Sequence, residues 1–188
     1  MEFLKKRDLV SDRVFSFFFL IFAGSIMHAS TQQVLERFGG YVRVRVCGIA
    51  VEDDRLLLIR HKALLHDGPF WSPPGGSVEW QEPLPEALRR EFEEETGLSV
   101  RTGELLAVNE FIHAPLHTLE HFFRVETAGG TAVLGHDPEF AEPIMDELAW
   151  MTWSEIQALP EHHVHPFIRS AASLSALCSF RGYIRQSV

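Results

Sequence analysis

Residues Gly76–Leu98 read GSVEWQEPLPEALRREFEEETGL, and the spacing within this stretch decides both the fold and the chemistry. Glu82 follows Gly76 after five residues. Arg90 and Glu91 follow Glu82 after seven more, and Phe92, Glu94, Glu95, Gly97 and Leu98 complete the pattern. Pro83–Thr96 reads as a helix, because prolines suit an opening helical turn. Leu84, Leu88 and Phe92 recur every fourth residue as a stripe to bury, with Ala87 beside them. Gly97 suits the left-handed residue that closes a helix. On this helix Glu91, Glu94 and Glu95 stand at i, i+3 and i+4 and so share a face. Taken alone, such an acidic face is a solvated surface, with Arg90 pairing to Glu86 or Glu94. Taken with Gly76, Glu82, Arg90 and Gly97 at those spacings, it reads as a cation site that offsets the repulsion of like charges at neighbouring helical positions. The turn at Gly75-Gly76 needs a permissive backbone and brings a bare carbonyl to the same place. Carboxylate and carbonyl oxygens suit Mg²⁺ or Mn²⁺ rather than zinc.

Outward from the helix, Tyr41–Val51 alternates, with Val42, Val44 and Val46 on one face and Arg43 and Arg45 on the other. That is a strand signal. Asp53-Asp54 marks a turn, and Arg55–His61 reads as the returning strand of a hairpin. Ala63–Pro69 reads as a loop and Val78-Glu79 as a brief strand. Further strands are predicted near 99–112 and 118–126, joined by a loop at 113–117. Residues 127–143, rich in glycine and acids, read as mostly loop. Glu147–Thr152 reads as a strand, and Trp153–Leu159 as a short helix stopped by Pro160. Pro166 opens a predicted last helix whose Phe167, Ile168, Ala171, Leu174, Leu177 and Cys178 form an apolar face. A short helix is predicted at 30–38. This order of elements implies a mixed sheet with helices packed on it, an α/β layered domain.

The chain has 188 residues with 46% apolar content, enough for one well-cored domain. A formal net charge of −9 argues against a nucleic-acid-coating surface. Cys47 and Cys178 stand far apart and outside any CxxC spacing, so they read as free thiols. The N-terminus is different in kind. Lys5, Lys6 and Arg7 precede the apolar run Val14–Met27, which resembles a secretory signal and is short for a membrane span. Residues 1–26 read as an over-extended start ahead of Met27, with a signal or membrane anchor as the alternative. The expected organisation is an N-terminal extension over residues 1–30 and a domain over 40–183. The expected location is cytoplasmic, or exported or membrane-anchored if residues 1–27 are made. Homodimerisation is the default for such a domain.

The Gly76–Leu98 stretch resembles the signature of the Nudix hydrolases, G-x5-E-x7-R-E-U-x-E-E-x-G-U with U apolar. Gly76, Glu82, Arg90, Glu91, Glu94, Glu95 and Gly97 match as identities, and Phe92 and Leu98 match as apolar positions. The resemblance implies an α/β/α sandwich with a central mixed β-sheet. It implies that Glu94 and Glu95 are the principal metal carboxylates, with Glu91 as a further ligand or the base and the Gly75 carbonyl as a backbone ligand. Arg90 would orient the glutamates, and Glu82 would brace the loop–helix junction or reach the metal through water. An acid outside the signature contributes in several members of the family. Glu147 is the favoured candidate, ahead of Glu142, Asp146 and Glu120. Arg43, Arg45 and Arg60 are candidate phosphate contacts, and Phe70 or Trp71 a candidate base-stacking surface, with ordinary strand-surface and core roles as the alternative. His117 and His121 read as cleft or surface residues, and the EHHVH run at 161–165 is too compact to read as a metal site. The implied activity is metal-dependent hydrolysis of a diphosphate linkage in a nucleoside diphosphate derivative. The alternative is a catalytically inactive nucleotide-sensing module.

Overall fold

The computed structural model describes residues 35–62, 68–137 and 143–187. The expected extension over 1–30, most of the short helix at 30–38, and the candidate Glu142 lie outside the described residues. Within them the chain runs β1 (Val42–Glu52), β2 (Arg55–His61), β3 (Phe70–Ser72), α1 (Leu84–Thr96), β4 (Leu98–His113), β5 (Leu116–Gly130), β6 (Met145–Thr152) and α2 (Trp153–Ala158). A 3₁₀ turn (Glu161–His163), α3 (Pro166–Arg169), α4 (Leu174–Ser179) and β7 (Gly182–Ser187) complete it.

The strands form one mixed sheet in the order β3-β2-β1-β5-β4-β7, with β6 also paired to β2. β1 runs parallel to β5 along most of its length, and β4 runs antiparallel to β5. β1 and β2 behave differently. Asp53 and Asp54 both take positive φ, 47° and 57°, the conformation of a tight two-residue hairpin turn. The two strands pair only beside that turn, at Val51↔Leu56 and Glu52↔Arg55, and then diverge. The backbone groups that β1 leaves unpaired on that side meet the proline–glycine loop. Gly48 N donates to Pro74 O at 2.9 Å, Val46 N to Gly76 O at 3.0 Å, and Val78 N to Val44 O at 3.0 Å. The loop is thus laced to β1 where β2 has peeled away. Of the brief strand predicted at 78–79, what forms is an isolated bridge, Arg45↔Ser77.

Alternation along the strands sorts two cores. Val46, Ala50, Leu57 and Val125 face α1, where they meet Ala87, Leu88 and Phe92. Cys47, Ile49, Leu56, Leu58 and Phe122 face the opposite side, where Ile156, Phe167, Ile168 and Leu177 of the C-terminal helices cover them. The result is the expected α/β/α sandwich. Phe92 is fully buried over Gly48, and a Cβ on Gly48 would lie 2.5 Å from its ring. α1 begins after Pro83, carries Pro85 in its first turn, and ends at Gly97 with φ 69°, its N–H bonded to Glu93 O.

Two expectations about elements are corrected. The single last helix is instead α3 and α4, broken at Ser170–Ser173. The Ser170 hydroxyl turns back onto Phe167 O at 2.7 Å, and the Ser173 side chain caps α4 by accepting from Ala176 N at 3.1 Å. Serines that bond the backbone locally compete with helix continuation. The apolar residues still bury as expected. Beyond α4, Gly182–Ser187 adds an edge strand parallel to β4 that the sequence pattern did not reveal. The region from 127 is also less of a loop than expected, since β5 continues to Gly130.

Candidate active site

The acidic face of α1 points at the glycine loop. Glu91 and Glu95 are 3% and 2% exposed, while the Glu94 side chain is 31% exposed. Gly75 N donates to Glu95 Oε2 at 2.8 Å. Both glycines lie in close contact, Gly75 with backbone and Gly76 with a side chain. Gly75 sits at φ 146°, where a Cβ would fall 2.0 Å from Val46 O. A Cβ on Gly76 would fall 2.3 Å from Glu91 Oε2. Loop backbone and helix carboxylates therefore touch with no side chain between them.

Arg90 organises the cluster. Its Nε and Nη2 bond the Glu82 carboxylate side-on, both at 2.9 Å, and Nη2 also reaches Ser77 O at 3.0 Å. Nη1 donates to Glu91 Oε1 at 2.9 Å and to Glu94 Oε2 at 3.2 Å. Glu82 also accepts from Glu79 N at 3.0 Å, closing the turn in which Gln81 adopts φ 65°. The Arg90 hydrogen bonds pull the Glu82 carboxyl below its ordinary range, and the same bonds to Glu82 push Arg90 upward. Glu82 thus links the Glu79–Glu82 turn to Arg90, and Arg90 is bonded in turn to Glu91 and Glu94.

Glu95 differs in kind. Burial drives its carboxyl well above the usual range, against the Gly75 N–H that favours the anion, and the charge of Glu91 pushes it further. Asp137, in the strand-free segment that follows β5, adds to the same repulsion. That segment is tied to the end of α1 by Gly135 N, which donates to Glu95 O at 2.9 Å. Two buried carboxylates side by side, Glu91 bonded by Arg90 and Glu95 by the Gly75 N–H, with glycine backbone against them, are a set that a hard divalent cation would relieve. Among the described residues no three His, Cys, Asp or Glu side chains converge into a preset metal cage. Arg90 is the positive partner of Glu91 and Glu94.

The remaining candidates are distributed over both sides of the sheet. Arg45 reaches the loop directly, with Nη2 donating to Gly75 O at 2.8 Å. Arg43 bonds Ser77 Oγ at 2.7 Å and lies 3.6 Å over the Phe38 ring. Arg60 is paired to Asp146 and Glu147, both at 2.7 Å, and lies 5.7 Å over the Trp71 ring. Trp71 is only 5% exposed and packs into the core on the C-terminal-helix side. Glu147 has the strand parity of Ala149 and Met151, which pack on that same side, away from α1. The structure therefore brings Gly75, Gly76, Glu82, Arg90, Glu91, Glu94, Glu95 and Arg45 together, and sets Arg60, Trp71 and Glu147 apart as a separate group. Gly97 ends the helix.

A buried polar network next to Arg45 was only glimpsed in the sequence, through Glu120. Glu120 is 7% exposed and sits opposite Arg45 in the β1–β5 register. Its Oε1 lies 3.5 Å from Arg45 Nη1, and its Oε2 accepts from Asn109 Nδ2 at 2.7 Å and from His165 Nε2 at 3.1 Å. His165 Nδ1 accepts from Phe167 N at 3.2 Å, which places the ring proton on Nε2. Burial raises the Glu120 carboxyl, but the fields and hydrogen bonds of His165, Arg45 and Asn109 outweigh it and hold it down at about 2. The available signal was parity, because an acid on the inward face of LEHFFRVE needs a partner.

The NUDIX domain model matches residues 41–169. An ADP-ribose pyrophosphatase from Methanocaldococcus jannaschii is 37% identical over 101 residues, covering 53% of this chain and 59% of that protein. The match thus spans less than two thirds of that relative's length. A MutT NUDIX hydrolase from Burkholderia pseudomallei superposes with a TM-score of 0.56 at 29% identity, over 73% of this chain and 96% of that one. A NUDIX hydrolase from Nitrosomonas europaea gives a TM-score of 0.59 at 23% identity, over 69% and 85% of the two chains, and supports the fold alone. Signature, sandwich and family match coincide on the same residues, and the chain belongs to the NUDIX domain family.

Proposed function

We propose that this chain is a metal-dependent hydrolase that cleaves a diphosphate linkage in a nucleoside diphosphate derivative, such as a nucleoside triphosphate, ADP-ribose or a nucleotide sugar. The observation that carries the reading is the meeting of buried Glu91 and Glu95 with the Gly75-Gly76 backbone, without an intervening side chain. Glu91, Glu94, Glu95 and the Gly75 carbonyl are the residues that would hold Mg²⁺ or Mn²⁺. When bound, the ion supplies charge neutralisation and Lewis acidity at the diphosphate.

Water attacks phosphorus, a new P–O bond forms, and the bond from that phosphorus to the bridging oxygen breaks. The departing phosphate carries away the bridging oxygen. Glu91, or an acid outside the signature, accepts the water proton. Arg90 keeps Glu91 and Glu94 oriented through Nη1. The relative from Methanocaldococcus jannaschii is named an ADP-ribose pyrophosphatase, and ADP-ribose is one such derivative, which supports the substrate class. A cytoplasmic location and homodimerisation belong to the same reading. Among the described residues no helix is long and apolar enough to cross a membrane.

The test incubates the purified protein with Mg²⁺ and a panel of nucleoside triphosphates, ADP-ribose, dinucleotides, nucleotide sugars and dinucleoside polyphosphates, beside a Glu94→Gln control. Cleavage of one class that disappears on chelation and falls at least about a hundredfold in Glu94→Gln is the expected result. Equal activity in Glu94→Gln would refute the metal assignment. Saturable nucleotide binding with no cleavage would favour a sensing module.

A further inference from the structure

Gly75 is clamped at both ends by charged side chains. Its N–H goes to Glu95, and its carbonyl accepts from Arg45. Arg45 is in turn backed by buried Glu120, which Asn109 and His165 fix from two further elements. We propose that Arg45 and Glu120 form a positioning relay that aims the Gly75 carbonyl into the carboxylate cluster and cancels the charge of the guanidinium that does so. The proposal rests on the metal-site reading above.

A carbonyl oxygen has two lone pairs, so Gly75 O accepts from Arg45 and still has one to offer. Backbone bonds from β1 hold Pro74 O and Gly76 O on either side, and the direction of the carbonyl between them is left to its own partner. Arg45 sets it. An uncompensated guanidinium beside a cation site would repel the ion, and Glu120 removes that penalty. Glu120 neighbours Arg45 in register, and His165 Nε2–H and the Asn109 amide hold its second oxygen. His165 is itself anchored at the start of α3, and its backbone N–H bonds Trp71 O at 2.9 Å. The relay therefore ties the C-terminal helical unit to the glycine loop. Stability alone does not account for such a group, since buried ion pairs are commonly matched by apolar packing of the same volume.

The test measures Mn²⁺ binding to the full chain by calorimetry, with Mn²⁺ alone as the probe, and normalises to the folded fraction from thermal melts. The variants are Arg45→Gln, Glu120→Gln, the double Arg45→Gln/Glu120→Gln, Glu120→Asp and Glu94→Gln. Each single Gln variant is expected to weaken Mn²⁺ by about tenfold or more, the range for residues that orient metal ligands. The double is expected to be no worse than either single, because both act through one carbonyl. It also removes both members of the pair together, so it leaves no buried Glu120 charge without its partner and is expected to fold where Arg45→Gln alone does not. Glu120→Asp keeps the charge and retains affinity within about threefold. Wild-type affinity in the folded Arg45 and Glu120 variants, with Glu94→Gln impaired, overturns the relay and leaves the metal site standing. Losses that add in the double overturn it as well. No Mn²⁺ binding by the wild type overturns the metal site and the relay with it.

Discussion

At the residue scale, the glycine of the signature is a steric statement. Gly76 faces Glu91 so closely that a methyl group would overlap the carboxylate. The contact is to the end of a side chain, and Gly76 does not sit at positive φ, so the backbone accommodates alanine. Gly76→Ala is therefore expected to fold, with a melting temperature within a few degrees of wild type, about 1 kcal/mol or less of stability. It should displace Glu91 and lower kcat by about a hundredfold. A melt and a rate assay on the substrate found by the panel check this, and wild-type kcat would show that Glu91 is not held at a working position. Gly75→Ala is a different case, because its Cβ meets backbone at Val46 and requires positive φ, so it should lose stability first. The signature residues were legible in the sequence because identity and spacing fix them within one helix and its leading turn. Arg45, Glu120 and His165 were not legible as a group. Their meeting depends on the parallel β1–β5 register and on a loop that returns 45 residues later, and no local pattern encodes either.

At the element scale, α1 is seated by a knob and a hollow. Phe92 fills the space left by Gly48 on β1, with Val125 beside it. Gly48→Ala should cost about 1–3 kcal/mol through overpacking. The double Gly48→Ala/Phe92→Leu should lose less than the two single costs added together, since the smaller side chain yields the room that the methyl group needs. Urea melts of the four proteins measure the coupling, and simple additivity would mean that the two residues do not share one contact. The fourfold spacing of Leu84, Leu88 and Phe92 told which face of α1 is buried, and its glycine told where it stops. The C-terminal elements were harder to read. An apolar periodicity from Phe167 to Cys178 looks the same for one helix and for two short ones, and the difference lies in which backbone groups Ser170 and Ser173 capture. β7 is a short edge strand in which Tyr183 stands 59% exposed, so it carries little of the alternation that marks a half-buried strand.

At the scale of the whole molecule, the divergence of β1 from β2 places buried carboxylates against bare backbone, and that arrangement costs stability. Glu95 has a carboxyl raised by burial and by Glu91. A carboxyl raised in the folded state binds its proton more tightly there than in the unfolded chain. Its contribution is therefore present below the unfolded value and is lost as pH rises toward the folded one. Glu120 runs the other way: depressed to about 2, it stabilises above the ordinary carboxylate range and loses that contribution as pH falls toward 2. The metal-free protein at pH 8 thus holds Glu95 at a disadvantage that a bound cation would remove. Glu95→Gln keeps the acceptor for Gly75 N and removes the charge. It is expected to raise the melting temperature of the chelated protein at pH 8, and to raise it less at pH 4.5, where Glu95 is protonated. Adding Mn²⁺ at a hundred times its dissociation constant should stabilise the wild type by about 2.7 kcal/mol and leave Glu95→Gln nearly unmoved. Melts of both proteins at the two pH values, with chelator and with Mn²⁺, decide the matter. A Glu95→Gln protein less stable than wild type under chelation at pH 8 would mean that the buried acid contributes to the fold itself. In that event the acidic face of α1 would be a structural element first, and its cost would not be what the metal relieves.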